Sequence, residues 1–402
     1  MNNGSDSSNK LSETGYMLKS LIKITSNPSP EYNLGVFLDS IIRYVKLHHA
    51  MFGKYDGELM LKPNKAVLER TSGTFTTFLE KENLEPLIPL FLLTYTSMGY
   101  GYLDEVGSLY GLIWHTPNLV ISAAFKVLGV EVDPYRTYIF KQGFEHVWNT
   151  IVKEEKFDIR FNTKIKKIYR NKWEVKVNYE NAASKLQTKK CGFLIWTPPL
   201  PGIIKHLSNP SKEERDLFTK LTPLTFVSSL MRAKGTIRNT PKTFYRESLE
   251  DKIDDSVTGD LDVEGTLNYC NNQCEKNITD YDEMVSSSRI ISIYQLKRNN
   301  RNKDQSIEAA KNHFELGFNA SNVEIFSTIQ WENSFKWSPS EVAKGNHWKV
   351  FNMQGKHRTW YAGASVSFES VKSVIEYNKL LLRQFGKYYV DQVCTLDYYY
   401  RY

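Results

Sequence analysis

Met353-Gln354-Gly355-Lys356-His357-Arg358-Thr359-Trp360-Tyr361-Ala362-Gly363-Ala364-Ser365-Val366-Ser367-Phe368-Glu369-Ser370-Val371 is the stretch from which the rest of the chain can be ordered. It reads in three parts: an extended run that turns apolar at Trp360-Tyr361-Ala362, a small-residue corner at Gly363-Ala364-Ser365, and a helix. From Val371 the apolar residues Val374, Ile375, Leu381, Leu382 and Phe385 recur at helical spacing, and Gly386 is placed to cap the end. A strand that enters a glycine corner and then a helix suits an anion or a cofactor. The glycine admits a ligand close to the backbone, and the helix start offers free N–H groups. An ordinary strand–turn–helix connection has the same local pattern, so the residues upstream must decide.

The 402 residues allow two domains or one elaborate one, and 41% apolar with 13% aromatic residues suits a globular chain. No run approaches the roughly 18 apolar residues that span a bilayer, and the first residues are polar, so the expected location is the cytoplasm. Four cysteines are too few for a disulfide scaffold; Cys270 and Cys274 form a lone pair, and no metal site is expected. The net charge is +7, with lysines in short clusters such as Lys164, Lys166 and Lys167, separated by acids. That pattern reads as a solvated face, and nucleic acid is a minor alternative.

Residues 1–34 are rich in Ser, Asn and Pro and read as a disordered leader. Residues 35–137 read as a mainly helical part of a substrate domain, with an apolar run at Leu84–Tyr95. Gly99-Tyr100-Gly101-Tyr102 lacks the third glycine of a dinucleotide turn, since position 104 is Asp, and a helix–helix turn is the better reading. Residues 138–205 hold a helix carrying Phe144, Val147, Trp148, Ile151 and Val152 on one face. A hairpin turning at Arg170-Asn171-Lys172 follows, then an apolar run Cys191–Trp196 that reads as a strand buried on both faces.

Taken in order, Gly143-Phe144 with Trp148, Ile159–Ile165, Leu194-Ile195-Trp196-Thr197-Pro198-Pro199 and Thr359–Gly363 resemble the FAD-dependent amine oxidase superfamily. Gly99–Tyr102, Met353-Gln354-Gly355 and Ser367–Val371 resemble its β-cyclopiazonate-dehydrogenase-like branch. The resemblance implies an α/β fold, with an FAD/NAD(P)-binding Rossmann-like domain interleaved with a mixed α+β substrate domain. It implies that a backbone group at Ile165 holds the adenine end of FAD and that Thr197 closes a strand over the cofactor. Gly363, Ala364 and Ser365 would run beside the pyrophosphate and ribityl chain. Phe368, Glu369, Ser370 and Val371 would aim backbone N–H groups at the pyrimidine edge, where a reduced flavin carries negative charge.

The chain departs from that pattern. The superfamily opens with a G-x-G-x-x-G strand–helix–strand unit and an acid about 20 positions on; residues 1–34 hold only Gly4 and Gly15, and Ala364 stands where an acid often follows the closing Ala-Gly. FAD is therefore expected to be held weakly or lost. A truncated gene model, a split gene or a degenerate paralogue would each produce this sequence.

Residues 206–350 complete the substrate domain. Ser211-Lys212-Glu213-Glu214 is a capping box, Thr225–Met231, Arg289–Leu296 and Val323–Trp331 read as strands, Asp304–Phe318 as a helix, and 248–286 as a long loop. Trp331, Phe335, Trp337 and Trp348 suit core packing or an apolar pocket. Residues 351–390 close the FAD domain and 391–402 form a tail. His115 is a candidate base or a structural histidine, and no catalytic residue can be named. Three functions are consistent with this reading: a flavin-dependent oxidoreductase, or the larger part of one, oxidising a small apolar metabolite by hydride transfer; a non-catalytic remnant acting as a binding or scaffold protein; and a basic nucleic-acid-binding protein. The oligomeric state is unspecified.

Overall fold

The computed structural model describes residues 13–57, 62–96, 98–130, 140–234, 256–260, 288–297, 303–318 and 321–389. A helical layer comes first: α1 (Glu13–Thr25), α2 (Pro30–Phe52), α3 (Lys65–Arg70), α4 (Phe75–Lys81), α5 (Ile88–Phe91), α6 (Ser108–Trp114) and α7 (Pro117–Val127). Ser29 caps α2 through a hydrogen bond from the Tyr32 amide, with Pro30 at the first helical position. The expected leader is corrected in part. Residues 13–25 are helical, and Tyr16, Met17 and Leu21 are buried in the main core because they share one face of α1.

The apolar run at 84–96 is buried as expected, but Pro86 and Pro89 break it into a 3₁₀ turn, α5 and a π turn over Leu92–Thr96. Gly99 and Gly101 follow with φ of +78° and +117°. A Cβ on Gly99 would meet the Phe226 ring at 2.6 Å, and one on Gly101 would meet Val106 at 2.7 Å. These glycines therefore seat a loop against the neighbouring sheet, which is packing work.

The helix α8 (Phe144–Glu154) forms where its periodicity predicts, yet none of its residues is buried; Phe144, Trp148 and Ile151 are exposed. A three-stranded antiparallel meander follows: β1 (Lys164–Arg170), β2 (Val175–Glu180) and β3 (Leu186–Cys191). Lys166, one of the clustered lysines, pairs with Glu180 at 2.6 Å, and Lys190 pairs with Glu174 at 3.7 Å.

The run at 191–196 is shorter than predicted. Only β4 (Leu194–Trp196) is a separate strand, and it pairs in parallel with β9 (Thr359–Tyr361). Trp196 is buried but Ile195 is half exposed, so this strand is not covered on both faces. Helices α9 (Leu200–His206) and α10 (Lys212–Phe218) come next, and the predicted box at Ser211 and Glu214 is present with both bonds formed.

A four-stranded antiparallel sheet has the order β6-β7-β5-β8, from β5 (Thr222–Lys234), β6 (Ser256–Asp260), β7 (Ser288–Lys297) and β8 (Ser321–Lys336). The strand β6 lies inside the segment expected to be a loop; the rest of that segment, with Cys270 and Cys274, lies outside the described residues. Helix α11 (Lys303–Phe318) connects β7 to β8, and the short α12 (Pro339–Ala343) and α13 (Asn346–Asn352) lead back to β9. Trp337 and Trp348 are buried, Phe335 packs against the core, and Trp331 is half exposed on the sheet. The last helix, α14 (Val371–Tyr389), runs through Gly386, so the predicted cap is corrected: the apolar spacing continues past it.

Candidate functional site

The two parallel strands end side by side. The Ala362 amide donates to the Trp196 carbonyl at 2.9 Å, and Gly363, at φ +87°, lies so close to Thr197 that a Cβ would sit 2.6 Å from its carbonyl oxygen. Ligands of open α/β sheets collect at such carboxyl ends of parallel strands. After Gly363 the chain turns, with the Val366 and Ser367 amides directed to the Gly363 carbonyl. Among the described residues, the amides of Ala364, Ser365, Phe368 and Glu369 have no acceptor. Ser370 caps the first turn of α14 by accepting from the Ser373 amide.

The structure thus brings together Thr197, Gly363, Ala364 and Ser365, and carries Phe368, Glu369, Ser370 and Val371 onward to the helix start. Ile165 lies on the meander, a different sheet, paired with Tyr179 beside a bulge. A cleft of about 480 Å³ flanks that strand, lined by Arg160, Phe161, Thr163 and Tyr179 among others.

Below β9 is a buried charge network. Arg170 donates to both carboxylate oxygens of Glu214, at 2.7 and 3.0 Å, and to the Thr359 hydroxyl at 3.1 Å. The Tyr361 hydroxyl also donates to Glu214. Burial works to raise the Glu214 carboxyl, but the Arg170 and Tyr361 hydrogen bonds outweigh it and hold it at about 2. Gln354 brackets the Tyr361 backbone, accepting from its amide at 2.8 Å and donating to its carbonyl at 2.7 Å. Strand β9 is therefore fixed from both sides.

On the helical side, Phe368 is buried among aromatics: its ring lies 5.5 Å from Trp114, 5.1 Å from Tyr100 and 6.1 Å from Tyr95. The Tyr95 hydroxyl is buried with no hydrogen-bond partner among the described residues. Lys336, at the end of β8, reaches into the same place. Its Nζ donates to the Tyr100 carbonyl at 3.0 Å and to the Ser334 hydroxyl. Burial pushes the amine down to about 8, and the Glu369 charge opposes that shift; burial raises the Glu369 carboxyl, and Lys336 opposes that in turn. Sequence reading missed Lys336, because a lysine ending a strand has the pattern of a solvated one.

His115 is buried, with both ring nitrogens at hydrogen-bond distance from a partner. Its Nε2 lies 2.8 Å from the Thr94 hydroxyl and its Nδ1 3.0 Å from the Gly111 carbonyl, and its ring packs 4.1 Å from Phe91. Burial lowers it to about 3, and burial likewise lowers His48 and His347 to about 4. All three are below the ordinary 6.5, so the folded state favours the neutral rings. Their contribution to stability is complete above pH 6.5 and falls as the pH drops toward 4. Thermal midpoints are expected to decline steadily from about pH 7 to about pH 5, and less steeply in a His347→Gln variant. A flat profile would contradict neutral burial.

Unmatched backbone amides and an orphaned buried hydroxyl suit the isoalloxazine and ribityl end of an FAD, while Gly363 is required by the close approach of Thr197. Among the described residues, no glycine-rich strand-to-helix turn is present to take the diphosphate. No group of His, Cys, Asp or Glu among them could hold a metal, and no helix among them is long and apolar enough to cross a membrane.

No family model matches the chain. A polyenoic fatty acid isomerase of Ptilota filicina is 23% identical over 343 residues, which cover 81% of this chain and 65% of that protein. The chain thus spans just under two thirds of the length of this curated relative. Among solved structures, a CLA-producing fatty acid isomerase from P. acnes superposes with a TM-score of 0.69 at 16% identity, over 92% of this chain and 84% of that one. A redesigned putrescine oxidase matches with a TM-score of 0.56 at 9% identity, over 90% of this chain and 77% of that one. Cyclohexylamine oxidase from Brevibacterium oxydans matches at 0.53 and 10%, over 88% and 75%. The chain shares the α/β fold of this fatty acid isomerase and these amine oxidases.

Proposed function

We propose that this chain binds FAD and acts on an apolar carbon chain by giving up a substrate hydride to the flavin. The observation that carries the reading is the closing segment, where Gly363 meets Thr197 and the free amides of Ala364, Ser365, Phe368 and Glu369 follow. In this assignment Thr197 and Gly363–Ser365 border the ribityl and pyrophosphate, and Phe368–Val371 face the pyrimidine edge. Ile165 supports the adenine end, next to the cleft with Phe161 and Arg160. The flavin supplies hydride acceptance when bound, and the chain supplies orientation, dryness and charge. Aromatic walls from Tyr95, Tyr100 and Trp114 suit an apolar substrate.

Two similar proteins bear the name of fatty acid isomerases. Their names favour an unsaturated fatty acid, with the hydride returned to another carbon of the same chain. The test is to load the purified protein with FAD and supply polyunsaturated fatty acids without oxygen. Conjugated products at more than one turnover per flavin support isomerisation. Flavin bleaching that stops after one turnover supports a net oxidation that needs an external acceptor. Neither change with any fatty acid or alkylamine rules out a catalytic role and leaves a binding protein.

A further inference from the structure

A buried ammonium stands where the end of β8 meets the candidate cofactor segment. Lys336 enters from the end of β8 and Glu369 from the segment between β9 and α14, and each acts electrostatically on the other. Lys336 lies over the Tyr110 ring at 5.7 Å and the Phe368 ring at 5.8 Å, is only 8% exposed, and spends one hydrogen bond on the Tyr100 carbonyl. An apolar residue of similar volume would avoid the cost of taking an ammonium out of water. The other titratable groups facing the pair are the hydroxyls of Tyr95, Tyr100 and Tyr110, each of which feels the Glu369 charge. All three are held protonated by burial, so Lys336 is the one cation in this cluster of described residues.

We propose that Lys336 is a positioning residue for the flavin's charge: its ammonium, held by the Tyr100 carbonyl and the Ser334 hydroxyl, offsets the negative charge that two-electron, one-proton reduction leaves on the isoalloxazine, while Glu369, next in sequence to Phe368, opposes that effect. The inference rests on the flavin reading above, which puts Phe368 and Glu369 at the pyrimidine edge. The two members of the pair then have opposite effects on the flavin. A cation favours the reduced form and an anion favours the oxidised one, and the aromatic, water-poor surroundings strengthen both effects.

The test is the midpoint potential of bound FAD, measured against a reference dye in wild type, Lys336→Met, Lys336→Arg and Glu369→Gln. K336M is expected to bind oxidised FAD nearly as wild type does but reduced FAD about tenfold less tightly, a shift of about 30 mV to lower potential. E369Q should shift the potential upward, and K336R should stay with wild type. Should K336M not fold, E369Q decides the matter, because it removes the charge with almost no change of shape. A pair that only joins two parts of the fold would lower the melting midpoints and leave the potentials where they were. That result, or shifts of the same sign in K336M and E369Q, overturns the inference. Wild-type protein that takes up no FAD overturns the flavin reading and this inference together; wild-type protein that binds FAD with unmoved variants overturns this inference alone.

Discussion

Arg170→Met is expected to lower the unfolding free energy by about 3–5 kcal/mol, the range for removing one partner of a buried ion pair. Arg170 and Glu214 are each about 1% exposed at the side chain, and their contact is bidentate. Glu214 also accepts from the Ser211 amide at 2.6 Å, closing the capping box, and from Tyr361 on β9. Removing Arg170 would strand that carboxylate inside the protein, and removing Glu214 would open the helix cap as well. Denaturant unfolding of R170M, E214M and the double variant would check this: the double should recover part of the loss, because no lone charge then stays buried. The pH dependence has a definite sign. Folded Glu214 is held at about 2 against an ordinary 4.5, so its contribution is complete above about pH 4.5 and is lost as the pH falls toward 2. Acid unfolding of R170M should begin at higher pH than that of wild type. A loss under about 1 kcal/mol in R170M would mean that the network does not hold β9.

Gly363→Val should cost about 1–3 kcal/mol in backbone strain alone, because φ of +87° lies where side chains are rarely found. The new side chain would also press on the Thr197 carbonyl, 2.6 Å from the Cβ position, and part the ends of β4 and β9. FAD affinity should fall by at least tenfold, about 1.4 kcal/mol, even where the protein still folds. Gly35, on an exposed helix face with nothing near its Cβ position, supplies the control: Gly35→Ala should leave FAD affinity unchanged.

The closing segment was legible because its order (apolar extended run, glycine corner, periodic helix) is local. The capping box at Ser211, the hairpin about Asn171 and the three long strands were legible for the same reason. What could not be read depends on distant contacts. Arg170 and Glu214 lie 44 positions apart, and Arg170 looks like part of a polar turn until the fold encloses it. Lys336 is buried by Tyr100, Tyr110 and Phe368, which come from two other parts of the chain. The helix α1 is a different case. Tyr16, Met17 and Leu21 have helical spacing, but the Ser-, Asn- and Pro-rich residues on either side hid it. Gly386 shows the converse error, a residue that often ends helices but lies inside α14.

Every role proposed for the site turns on whether the closing segment holds a flavin. The direct measurement is titration of the purified chain with FAD, followed by flavin fluorescence and visible absorbance, with G363V alongside. Saturable, one-to-one uptake by wild type with a resolved, shifted flavin band is expected, with at least tenfold weaker uptake by G363V. Wild type that shows neither a shifted band nor a change in flavin fluorescence with FAD in large excess, or that binds no better than G363V, would overturn the flavin reading.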